Sequence, residues 1–120
     1  MAQVVRRPHG ERELLERAKA RLDRLDLYPR PVRIDRVRVL VVPALFRLPW
    51  FRRFAGYAAW ETILLQRDDL QLLDDLVCHE LCHVWQMQHR PLAMPLSYLR
   101  TGYEANPYER EAVAAVEATL

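Results

Sequence analysis

The segment from residue 70 to residue 88, "LQLLDDLVCHELCHVWQMQ", constrains the fold of this chain more than any other. Leu72, Leu76, His79, His83 and Met87 fall along one helical stripe, and Leu73, Val77, Leu81 and Val84 fall on its neighbours. A helix apolar on so many sides has to be surrounded, so the spacing predicts a central, buried helix with the other elements packed round it. Pro91 and Pro95, in "RPLAMPLSY", are expected to end it, because proline has no N–H to give and its ring collides with the preceding turn.

The rest of the chain supplies what could surround that helix. "ERELLERAKARLDRLDLY" places Leu14, Leu15, Ala18, Leu22 and Leu25 at helical spacing, which predicts an amphipathic first helix running up to Pro29. "VRIDRVRVLVV" alternates β-branched residues with Arg, so Val37, Val39 and Val41 predict a strand. Past a loop rich in Pro and aromatics, "GYAAWETILLQ" predicts a second strand, closed by "RDD". "NPYEREAVAAVEATL" reads as a closing helix with Asn106 as N-cap and Pro107 in its first position. A chain of 120 residues has room for one core. The expected architecture is a single α+β domain, residues 1–120, with about ten loose residues at its start.

Composition narrows the setting. The 51% hydrophobic content can support a core without staples, and the two cysteines, Cys78 and Cys82, sit four apart in the central helix. That spacing suits free, packed thiols in a reducing compartment better than a disulfide framework. No run approaches the roughly 20 apolar residues that span a bilayer, so a cytoplasmic protein with no membrane partner is expected. Net charge is +2, yet residues 30 to 53 hold seven Arg and one Asp while residues 61 to 80 hold six acids and one Arg. These blocks are expected to face one another or water, and nucleic acid is the weakest of the candidate partners.

The chemistry lies in His79, Glu80 and His83, spaced H-E-x-x-H. Side chains four apart on a helix differ by about 40° and stand one turn apart, so the two imidazoles can share one ion. Neutral imidazole suits zinc and leaves room for a third ligand and a water, which Glu80 can reach as a general base. The alternative is a helix that holds two histidines by chance. Against it, both continue the apolar stripe, where unpaired polar groups are costly to bury.

His89 stands six residues beyond His83, the third-ligand offset of the metzincin pattern, but that pattern needs a chain-reversing Gly where this sequence has Gln86. If the helix continues, His89 lies about 15 Å along the axis from His79 and cannot reach the same ion. In the closing helix Glu109 lies on the stripe of Ala112, Val113, Val116 and Leu120, whereas Glu111 points about 200° away. Glu109 is therefore the expected third ligand, with Glu111 as the fallback.

At these residues the chain resembles the gluzincin branch of the zinc metallopeptidases, in which an H-E-x-x-H helix is joined by a Glu from a following glutamate helix. "DLVCHELCHVWQ" and "NPYEREA" are also similar to segments of short bacterial proteins of uncharacterised function. The resemblance covers about residues 56 to 116. It implies a small zincin-like metallopeptidase domain with a short mixed or antiparallel sheet, acting on a peptide or protein substrate. His79, His83 and Glu109 would hold Zn2+, and Glu80 would be the catalytic base. It further implies that "GYAAWETILLQ" is an edge strand above the cleft, lined by Trp60 and Glu61, although a plain core strand fits the residues equally well. Gluzincins commonly carry an Asp four residues after the ligand Glu, a place held here by Val113, and Asp75 is the candidate substitute.

Overall fold

The computed structural model describes residues 5–120. It is an α+β arrangement of four helices and a three-stranded mixed sheet, in the order α1 (Glu11–Leu22), β1 (Arg38–Val41), β2 (Gly56–Ala59), β3 (Thr62–Leu65), α2 (Leu73–His89), α3 (Ala93–Thr101) and α4 (Pro107–Ala118). Helix α2 is the centre of the molecule, packed against α1, α3, α4 and strands β2 and β3. Every residue from Val77 to Met87 except His79 is buried, as its all-round apolar pattern requires.

Helix α1 buries Leu14, Leu15, Ala18 and Leu22 and stops six residues short of the predicted end. Asp23 and Asp26 would set carboxylates against the negative end of a longer helix, so the chain unwinds there. Leu25 and Tyr28 still pack on the core, from irregular backbone. The expected loose start lies partly outside the described residues. From Arg6 onward the chain is tied down, since Arg6 and Val41 exchange backbone hydrogen bonds of 3.2 and 2.7 Å.

The strand order is β1-β3-β2, with β1 parallel and β2 antiparallel to β3. The segment expected to be one second strand is thus a hairpin, with Trp60 at φ 53° in its two-residue turn. Such turns usually take Asn or Gly, and the absence of either hid this one from a reading of the sequence. Trp60 is anchored by donating from its indole nitrogen to the Pro91 carbonyl at 3.2 Å.

Helix α2 ends at His89, before Pro91, as expected, and α3 is a helix that the sequence reading did not propose. Pro95 sits in the first turn of α3, where backbone N–H groups have no intrahelical partner to lose. Helix α4 begins as expected: the Asn106 side chain accepts from the N–H of Tyr108 and Glu109, and Pro107 occupies the first position. Its inward stripe is Glu109, Ala112 and Ala115, while Val113 and Leu120 are exposed at 43% and 81%. No helix among the described residues is long and apolar enough to cross a membrane.

Candidate metal centre

His79 and His83 stand one turn apart on α2, their rings 4.9 Å between centroids and nearly perpendicular. Asn106 starts α4 so that Glu109, its third residue, points back at them. Glu109 Oε2 is 3.0 Å from His79 Nε2, and Oε1 is 2.9 Å from His83 Nε2. One donor atom from each of the three residues lies within 4.8 Å of the others. Zinc–ligand bonds of about 2.0–2.2 Å place tetrahedral donors roughly 3.3 Å apart, so the two contacts of Glu109 with the histidines need to widen by only a few tenths of an ångström. Two imidazoles and a carboxylate are also the donor types zinc takes, and the expected ligands therefore fit the ion.

Gln86, one turn beyond His83, fixes which nitrogen faces that point. Its amide nitrogen donates to the Tyr108 carbonyl and to Glu111 Oε1, both at 2.9 Å, so its oxygen must be the atom 2.8 Å from His83 Nδ1. An acceptor there holds the proton on Nδ1 and directs Nε2 at Glu109. Glu111, the fallback ligand, is turned away from the cluster and also accepts from the Tyr28 hydroxyl at 2.7 Å. Asp75 does not orient His79 but binds the Arg21 guanidinium at 2.7 Å. The sequence reading met Gln86 as the residue that breaks the metzincin pattern and as the end of "DLVCHELCHVWQ" but gave it no role, yet its place three after His83 was the available signal.

Tyr103 donates to Glu109 Oε2 at 3.1 Å, a role the sequence did not single out. His89 stacks on Tyr28 and its Nδ1 meets the Trp85 carbonyl at 3.2 Å, remote from the cluster as the helix geometry required. Cys78 and Cys82 are free and buried, in keeping with packing thiols. Gly56 makes room for Glu80: a β-carbon at Gly56 would lie 3.3 Å from Cγ and Oε2 of Glu80 and 3.3 Å from the Leu64 carbonyl oxygen.

Electrostatics follow from burial and these contacts. Burial pushes the Glu80 carboxyl above its ordinary range, against the opposing pull of His83 and His79. Burial also acts to raise Glu109, but hydrogen bonds from His79 and His83 outweigh it and hold that carboxyl well below its usual range. For His83 burial acts to lower the pKa, and the hydrogen bond to Glu109 and the charge of Glu80 reverse it to a net rise. Burial raises the Tyr103 hydroxyl, with the charge of Glu109 adding to the effect, so it stays a neutral donor.

Two pockets meet at this cluster and share Arg53, Phe54, Gly56, Glu80 and Tyr103. The first, about 270 Å³, is lined by Glu80 and His83 together with Tyr57, Met94, Tyr98 and Leu99. The second, about 510 Å³, opens on the His79 and Glu109 side and carries the acids Asp75 and Glu117. Strand β2 borders the first pocket and ends the sheet. Because Gln66 N–H pairs with the Ala55 carbonyl, antiparallel alternation turns the N–H and C=O of Gly56 and Ala58 away from β3. Trp60 and Glu61 form the turn rather than the lining of this edge. No protein-family model, curated protein or solved structure compared with the chain matches it.

Proposed function

We propose that this domain is a zinc-dependent metallopeptidase of the gluzincin type. The observation that carries the reading is the convergence of His79, His83 and Glu109 on one point, with the buried Glu80 carboxyl beside it in the wall of both pockets. When bound there, zinc supplies a Lewis acid that polarises a substrate carbonyl and brings the pKa of water at the site towards neutrality.

The chain's own groups do the rest. Glu80 takes a proton from water and returns it to the leaving amine. Gln86 holds the His83 tautomer, and Tyr103 steadies the Glu109 carboxylate. The outward N–H and C=O groups of Gly56 and Ala58 suit a peptide that adds to β2 as a further strand, with an apolar side chain in the first pocket.

A second reading keeps the metal and drops the chemistry, making the domain a zinc-binding interaction module. Val113, in the place where gluzincins commonly carry an Asp, favours it, since it is 43% exposed and orients nothing. Glu80→Gln separates the two. Zinc content and folding survive in both, and cleavage of an unbiased peptide library, followed by mass spectrometry, is lost only if the domain is an enzyme. Wild-type protein that holds one zinc per chain yet cleaves no peptide would leave the module as the answer.

A further inference from the structure

We propose that the face around the mouth of the first pocket docks on an anionic lipid surface. Helix α3 buries Met94 and turns Leu92, Leu96 and Leu99, at helical spacing, outward with 69%, 58% and 85% exposure. Trp50 and Trp60 are exposed at 73% and 54%. These five side chains belong to one rim. Trp50 and Leu99 both line the mouth of the first pocket, and Trp60 is bonded to the Pro91 carbonyl, immediately before Leu92.

The segments that carry this rim are rich in Arg and poor in acids, with Glu61 and Glu104 standing just outside them. Residues 42 to 60 and 81 to 103 contain no Asp or Glu, and Arg47, Arg52, Arg53, Arg90 and Arg100 are their only Arg or Lys residues. All five are exposed. Four of the six acids at residues 61 to 80 are paired elsewhere, Asp68, Asp69, Asp74 and Asp75 with Arg6, Arg67, Arg17 and Arg21; of the other two, Glu61 follows Trp60 and meets Gln88 at 3.5 Å, and Glu80 lies inside the pocket. Arg53 lies over the rings of Phe54 and Tyr103.

Exposed Leu and Trp side chains on segments that also carry exposed Arg match the boundary between acyl chains and anionic headgroups. A protein partner would have to present acids and apolar seats at ten separate places, whereas an anionic bilayer offers both wherever the rim lands. The expectation of no membrane partner rested on the lack of a spanning run, which interfacial docking does not need. Nor does docking need zinc or Glu80, so it stands or falls apart from the proposed hydrolysis.

The test uses the full chain with phosphatidylcholine vesicles, plain or with about one-third phosphatidylserine. Trp85 is buried at 1%, so a blue shift of tryptophan emission on adding vesicles reports Trp50 and Trp60. Co-sedimentation and a blue shift are expected with the anionic vesicles and not with the plain ones. Leu92→Glu/Leu96→Glu and Arg90→Glu/Arg100→Glu, all at exposed positions and checked for folding by circular dichroism, should each weaken partitioning roughly tenfold or more. No partitioning of the native chain, equal partitioning to plain vesicles, or variants that bind like the native chain would overturn the proposal. So would a stable dimer in solution that already shields Trp50 and Trp60.

Discussion

The Gln86 side-chain oxygen lies 2.8 Å from His83 Nδ1, and Gln86 is fully buried. Its amide nitrogen is committed to Tyr108 and Glu111, so the oxygen cannot be exchanged for nitrogen without breaking two bonds. This makes Gln86 the group that orients the His83 imidazole of the proposed metal centre, the part left open by Val113. Gln86→Leu keeps the volume and removes the acceptor. Zinc affinity, read by competition with a chelator, should fall about 10- to 100-fold. Thermal stability should fall by about 1–3 kcal/mol, since Tyr108 and Glu111 lose a buried donor. Unchanged affinity in a folded Gln86→Leu protein would remove Gln86 from the site.

In protein stripped of metal by a chelator, the Glu109–His83 pair should contribute most within one pH window, while the buried Glu80, with its raised pKa, loses stability as pH rises above 4.5. Glu109 has a folded pKa below its ordinary 4.5, so its contribution is present above that value and fades as pH falls through the depressed pKa. His83 has a folded pKa above its ordinary 6.5, so its contribution is complete below 6.5 and fades as pH rises through the raised one. Both are therefore full between 4.5 and 6.5. Zinc runs the other way on the alkaline side, because Nε2 must lose its proton to bind. The difference in Tm between zinc-loaded and stripped protein should widen with pH above 6.5. A stripped protein that gains stability over that range contradicts the pairing.

The parts of this arrangement that were legible in sequence are those set by local periodicity. The one-turn spacing of His79 and His83 needs only helix geometry, and the start of α4 needs only Asn106 and Pro107, which together aim Glu109. What was hidden depends on tertiary context. The hairpin turns at Trp60 with φ 53°, a conformation that tryptophan rarely adopts and that no turn residue announces. Helix α3 tolerates Pro95 because the ring falls in its first turn, a matter of register that periodicity does not fix. Val113 and Leu120 looked inward because they are apolar, but Ala112 and Ala115 allow the close approach to α2 and take the buried side.

Gly56 is the position where backbone meets the proposed base most closely. The β-carbon of Gly56→Ala would press on Glu80 Cγ and Oε2 and on the Leu64 carbonyl oxygen, each at 3.3 Å. The carbonyl belongs to the sheet and cannot retreat, so the Glu80 side chain has to move. None of the three proposed zinc ligands is touched. Zinc stoichiometry should stay intact while kcat falls about 10- to 100-fold, because displacement of a reacting group by even part of an ångström is costly. Parallel loss of zinc and activity would show instead that the glycine supports the fold.

Glu109 and Glu111 are two residues apart on α4 and serve opposite sides of His83, one at Nε2 and the other, through Gln86, at Nδ1. Their substitutions should therefore differ in kind. Glu109→Ala removes a donor and leaves two imidazoles, so one zinc per chain should become none at micromolar protein. Glu111→Ala leaves all three donors in place but frees the Gln86 amide and the Tyr28 hydroxyl, so zinc should stay bound with affinity lower by about tenfold. Elemental analysis after dialysis gives the stoichiometry, and chelator competition gives the affinity. Zinc retained by Glu109→Ala and lost by Glu111→Ala would reverse the two roles and, with them, the direction from which α4 completes the site.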